Sequence, residues 1–208
     1  MREDIDMDVE ILALTEDSEA NVVDVLCDAF YDYPVMRYVM GPGSPDYDCA
    51  IRTLIGLFVK ARVFRQELLL GAPGKDRLDA AAIVSRSDGP PSPPEFYTFR
   101  ERVWTELGRE AEARYDALGE AWAPLQVEGS HLHLNMIGVR GSAQGRGLAR
   151  KLLDRVHELS ATEPESHGVS LSTEVEANVA LYKHFGYELI GESRIEPHLR
   201  TWGLYRPD

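Results

Sequence analysis

Apolar positions along the chain alternate between two spacings, and the change of spacing marks the elements. Val9–Leu14 reads as a first strand. Thr15 to Ser18 offers N-cap residues, and Asn21–Phe30 then reads as a helix that Pro34 ends or turns. The glycine- and proline-rich stretch 41–45 is a loop. Leu54, Ile55, Leu57, Phe58 and Ala61 recur at helical spacing, so Ile51–Arg65 is a second helix. Two short apolar runs, Gln66–Leu70 and Asp79–Ser85, flank the breaker segment 71–75 and predict a hairpin. After the proline cluster at 90–94, Glu95–Glu120 carries one apolar stripe, which Gly108 divides. His131–Val139 and Val169–Thr173 read as strands and Asn178–Phe185 as a short helix closed by Gly186. Tyr187–Ser193 and His198–Tyr205 suit a last hairpin. Helices alternate with strands in the middle and hairpins stand at both ends. That predicts an α+β fold with a mixed, mostly antiparallel sheet.

The most informative stretch is Asn135–Leu153. The apolar run Met136-Ile137-Gly138-Val139 stops at Arg140, and a turn, Gln144-Gly145-Arg146-Gly147-Leu148-Ala149, follows. Leu148, Leu152, Leu153, Val156 and Leu159 then recur at helical spacing. A strand–turn–helix of this kind leaves unpaired backbone N–H groups at the positive end of the helix, a site suited to phosphate or pyrophosphate. Glycines at 145 and 147 let a ligand approach the backbone. A Walker loop would need glycine at 146, where Arg146 stands. The dinucleotide fingerprint would need glycine at 150, where Arg150 stands. What remains is Gln144-x-x-Gly147-x-Ala149 directly after a strand ending in Gly138-Val139.

Composition narrows the partners. The 208 residues fit one domain, with 93–120 as a helical insertion. A net charge of −13 disfavours nucleic acid and anionic membrane, and mildly favours a cationic acceptor such as an amine. No apolar run reads as membrane-spanning, and the first residues carry no apolar signal region. Cys27 and Cys49 lack metal-ligand spacing, so no metal is expected, and the cytoplasm is the default compartment.

The Gln144–Ala149 pattern resembles the acetyl-CoA-binding signature of the GNAT N-acetyltransferases. A second segment, Leu171 to Glu188, resembles the same family's block with Glu174, Asn178, Tyr182, Gly186 and Tyr187 in order. A narrower likeness to the puromycin N-acetyltransferase branch rests on Ala29-Phe30-x-x-Tyr33-Pro34-x-x-Arg37, the closing Arg200-Thr201-Trp202 and the helical insertion. Two departures are Gly141, where relatives often have proline, and Ala149 in place of a last glycine.

The resemblance implies a GNAT fold splayed at the acetyl-CoA site. It further implies direct transfer of the acetyl group to a primary amine of a small molecule in a ternary complex. Acetyl-CoA would be held by Ile137, Gly138 and Val139, by the turn residues Gln144, Gly145, Arg146, Gly147, Leu148 and Ala149, and by Asn178, Tyr182 and Phe185. Tyr182 would protonate the leaving thiolate. His133, His131 and Glu174 are rival bases. Phe30, Tyr31, Tyr33, Arg37 and Trp202 would line the acceptor pocket. Two other readings stay open: a protein or peptide N-acetyltransferase, and a CoA-binding module without catalysis. The acceptor's identity and the assembly state, a homodimer included, are not encoded legibly.

Overall fold

The computed structural model describes residues 9–42 and 46–208. The predicted loop at 41–45 and the reading of the first six residues therefore fall wholly or partly outside the described residues.

Among the described residues, seven strands form one sheet in the order β1-β2-β3-β4-β5-β7-β6. They are β1 (Leu12–Leu14), β2 (Leu68–Pro73), β3 (Leu78–Arg86), β4 (Leu132–Val139), β5 (Gly168–Thr173), β6 (Glu188–Glu196) and β7 (Leu199–Pro207). Only β4 and β5 pair in parallel; every other neighbour is antiparallel. The expected mixed, mostly antiparallel sheet is observed.

Helices α1 (Glu19–Phe30), α2 (Pro34–Met40), α3 (Tyr47–Phe64), α4 (Pro94–Leu107) and α5 (Arg109–Trp122) cover one face. Helix α6 (Leu148–Thr162) covers the other, and α7 (Glu176–His184) lies beside β5 to β7. The two cores follow from strand parity. On β3, Ala81 and Ile83 point to the five-helix face, and Ala80, Ala82 and Val84 point to α6. Gly108 does divide the insertion. Its φ of +91° lies where only glycine sits without strain, so α4 stops there and α5 starts anew. Helix α2 is not evident from the pattern: Pro34 starts a helix at its first position rather than merely ending one. Gly71 to Pro73, expected in the turn, extend β2 instead.

The decisive irregularity is in β4. Ile83 pairs with Met136 and Val84 with Leu134, so Asn135 is one extra residue, a β-bulge. Parity switches there: Leu132 and Leu134 face the α6 core, whereas Met136 faces the five-helix core. Pairing between β4 and β5 ends at the same point. It covers Leu132–Val169, His133–Ser170 and Leu134–Leu171 and goes no further, although both strands continue. Beyond the bulge β4 stays with β3, β5 stays with β7, and the sheet opens into a V.

Close packing supports this arrangement. A methyl group at Gly138 would come within 2.6 Å of the Ala29 Cβ on α1, whereas one at Gly56 in α3 would meet nothing within 4 Å. Gly138→Ala should therefore destabilise the protein by about 1–3 kcal/mol through overpacking. Gly56→Ala should stabilise it by up to about 1 kcal/mol through helix propensity. Urea unfolding of both variants checks the opposite signs.

Candidate functional site

The turn after β4 is built as an anion cradle. Gly145 (φ +78°) and Gly147 (φ +74°) both adopt left-handed backbone, and open space surrounds the Cβ position of each. The first backbone bond at the start of α6 runs from the Lys151 N–H to the Gly147 carbonyl. The N–H groups of Leu148, Ala149 and Arg150 thus lack intrahelical partners at the helix's positive end. Arg146 is tied to Asp79 at 2.6 Å, and the Arg150 guanidinium lies 5.2 Å from the Phe185 ring centroid. The cradle's charge attraction thus rests first on its backbone. Arg140, overlooked in the sequence, fixes the turn from below: its Nε donates to the Leu78 carbonyl at 2.9 Å, and its side chain is buried.

A cavity of about 670 Å³ runs from this turn through the V and under the five-helix face. On the β4 side it is lined by His133 to Val139, and then by Gln144 and Ala149. Asn178, Leu181 and Tyr182 of α7 close the other side. Glu174, just past β5, lies between them. Its Oε1 accepts hydrogen bonds from Thr201 Oγ1 at 2.7 Å and Trp122 Nε1 at 3.2 Å. Burial raises the pKa of this carboxyl group. Tyr33 accepts the Glu174 N–H at 3.0 Å and shares a 3.0 Å hydrogen bond with Thr173 Oγ1, which also accepts from Asn178 Nδ2. Burial pushes the Tyr182 phenol up to about 12, so it is neutral and able to donate at neutral pH.

The other expected residues divide. Phe30, Tyr33 and His133 line the cavity. His133 Nδ1 contacts Ser170 Oγ at 2.8 Å, and burial lowers its pKa to about 4, which makes it a weak base. His131 is not brought to the cavity lining: β4 starts after it, its Nδ1 contacts the Gly129 carbonyl, and its ring packs against Tyr205. Tyr31 is turned outward to Asp48, because α1 ends at Phe30 and sends alternate residues of the connection opposite ways. Arg37 pairs with Asp32 and lies over Tyr47, also outside the cavity lining. Trp202 is buried in the α6-side core with its Nε1 on Glu192, and Phe185 lies under Arg150; neither lines the cavity.

The structure adds lining residues that the sequence reading missed: Trp122, Tyr115, Arg62, Arg65 and Arg100. A signal for two of them was present. Arg62 and Arg65 continue the buried stripe of α3 at helical spacing from Phe58 and Ala61, where apolar residues would be expected. Among the described residues no cluster of metal-ligating side chains is found, and no helix is long and apolar enough to cross a membrane.

The family model described as an acetyltransferase (GNAT) domain matches residues 102–189, the segment that holds β4, the turn, α6, β5 and α7. That segment of the chain is similar to a GNAT acetyltransferase domain. Its fold agrees. A Corynebacterium glutamicum structure described as histone acetyltransferase HPA2 and related acetyltransferase superposes with a TM-score of 0.70 at 18% identity, covering 96% of this chain and 97% of that one. A putative arylalkylamine N-acetyltransferase 7 from the yellow fever mosquito Aedes aegypti gives 0.63 at 14% identity, over 95% of this chain and 86% of that one. Arabidopsis thaliana NAA60 in complex with acetyl-CoA gives 0.56 at 14% identity, over 96% and 99%. No curated protein matches the sequence.

The lowered His133 pKa has a consequence for stability. A folded-state value of about 4 lies below the ordinary 6.5, so the unfolded chain binds the proton first as pH falls. Folding stability should drop between pH 6.5 and 4, and His133→Gln should reduce that drop. His157, lowered by the same cause, would account for part of the remainder. Urea midpoints at both pH values test this.

Proposed function

We propose that the protein transfers the acetyl group of acetyl-CoA to a primary amine of a small molecule by direct attack. The observation that carries this reading is the one cavity that joins the glycine turn, through the opened sheet, to Glu174 and Tyr182 and then to a pocket roofed by α3, α4 and α5. The V between β4 and β5 leaves backbone groups free for an extended pantetheine arm to pair as an added strand. The turn residues Gly145 to Ala149 would take the pyrophosphate.

An amine arrives mostly protonated. The Glu174 carboxylate accepts its proton, and the raised pKa makes it a better base than His133. The amine nitrogen then forms a bond to the thioester carbon, loses its second proton to solvent, and the C–S bond breaks. Tyr182 donates its proton to the departing thiolate, and solvent returns a proton from Glu174 to the phenolate. Alignment of the two reactants in one cavity supplies much of the rate. The roof favours a small acceptor over an extended peptide, since Phe58, Phe96, Tyr115 and Trp122 enclose the far wall.

Tyr182→Phe should lower kcat by roughly tenfold or more while acetyl-CoA affinity stays unchanged, read by thiol release and by calorimetry. Equal loss in both would remove the acid role. Glu174→Gln should lower kcat by ~10²–10⁴ and abolish the acidic limb of the kcat/KM profile. That limb should lie above the ordinary carboxylate range, because protonation of a carboxyl group with raised pKa removes the base as pH falls. The same variant should unfold at higher urea at neutral pH, since the fold no longer holds a desolvated charge. Thiol release with small amines and with peptides separates the small-molecule reading from a peptide acetyltransferase.

A further inference from the structure

The protein carries a net charge of −13, yet the cavity wall furthest from the glycine turn is basic. Arg62, Arg65 and Arg100 all line it, the first two from the end of α3 and the third from α4. A single carboxylate, Glu67, lies among them, at 2.8 Å from Arg62 Nε and 3.0 Å from Arg65 Nη2. Neither contact satisfies the groups in it: Arg62 Nε, Arg65 Nε and both Glu67 carboxylate oxygens are buried without a hydrogen-bond partner among the described residues. Arg100 is exposed and has no ion pair among them. The Arg62 side chain is 13% exposed, so its charge is largely removed from water. A desolvated guanidinium whose hydrogen-bonding capacity is not fully met is suited to an oxyanion.

These arginines are badly placed for the donor's phosphates. Arg62 acts electrostatically on His133, at the start of β4, whereas the glycine turn follows Val139 at its end. Six residues of strand separate the two, roughly 20 Å. The arginines therefore lie on the acceptor side of Glu174 and Tyr182.

We infer that the acceptor amine carries an anionic oxyacid group, a carboxylate or a phosphate, which Arg62 and Arg100 hold with Arg65 in support. This rests on the reading of the cavity as an acetyltransferase site and names the class of its acceptor. The negative charge of the protein as a whole does not select the substrate; the local cluster does.

The test is thiol release from acetyl-CoA with matched sets of small primary amines: amino acids, their carboxamides, the corresponding aminoalkyl phosphates and the parent alkylamines. The acids or the phosphates should exceed the carboxamides and parent amines by about tenfold or more in kcat/KM, and which of the two leads identifies the oxyacid. Arg100→Gln, an exposed change, should erase that preference by raising KM for the charged acceptor, with KM for acetyl-CoA unchanged. Arg62→Gln should act the same way, and its circular dichroism verifies folding. The inference is overturned if carboxamides or parent amines are used as well as the charged acceptors. It is equally overturned if acetyl-CoA binds by calorimetry and no charged amine is turned over. Absence of acetyl-CoA binding would instead refute the underlying acetyltransferase reading.

Discussion

One extra residue in β4 governs the rest of the molecule. Up to Leu134 the strand alternates in phase with β3 and β5; the bulge at Asn135 reverses that phase and coincides with the end of the β4–β5 ladder. A sheet whose central strands part must satisfy their backbone groups some other way, and an extended ligand in the gap does so. The glycine turn begins at Gln144, five positions after the last strand residue Val139, so it lies at the mouth of the same gap. The five-helix face closes the other end, and Gly138 allows α1 to pack closely enough to hold β4 in its diverted course.

Burial then sets the chemistry of the groups around the gap, each in the direction its charge dictates. The same loss of water holds His133 neutral, raises Glu174 and keeps Tyr182 protonated. A carboxyl group that holds protons more tightly and a neutral phenol thus line one cavity. Direct hydrogen bonds to Glu174 Oε1 from Thr201 and Trp122 orient the carboxylate. Trp122 closes the helical insertion, which links that insertion to the site as well as to the roof.

Much of this was legible in the chain itself. The strand, glycine turn and helix of Met136–Leu153 showed because local spacing and backbone needs specify them, and the Glu174–Tyr187 block showed by its resemblance to the GNAT family. The bulge was legible in principle: His131 to Asn135 alternates polar with apolar, and Met136 to Val139 is a continuous apolar run, the change a phase reversal produces. Both histidines precede the bulge, and His131 misses the cavity because it stands just before β4 begins. The acceptor side was the least legible. Tyr31 and Tyr33 look equivalent in sequence, but the break between α1 and α2 turns one to solvent and the other to Glu174. Arg37 and Trp202 were assigned by likeness, and their nearest partners, Asp32 and Glu192, are local pairings that spacing alone does not reveal. Arg62, Arg65 and Arg100 reach one wall from two helices, a juxtaposition that only the packed structure creates.

The most direct measurement is a calorimetric titration of acetyl-CoA, free CoA and NAD⁺ into the purified protein. An opened sheet ending in an anion cradle that lacks the dinucleotide fingerprint should bind both CoA species in the micromolar range and should not bind NAD⁺. Absence of heat with either CoA species would contradict the account, and the turn after β4 would then be only a strand-to-helix connection.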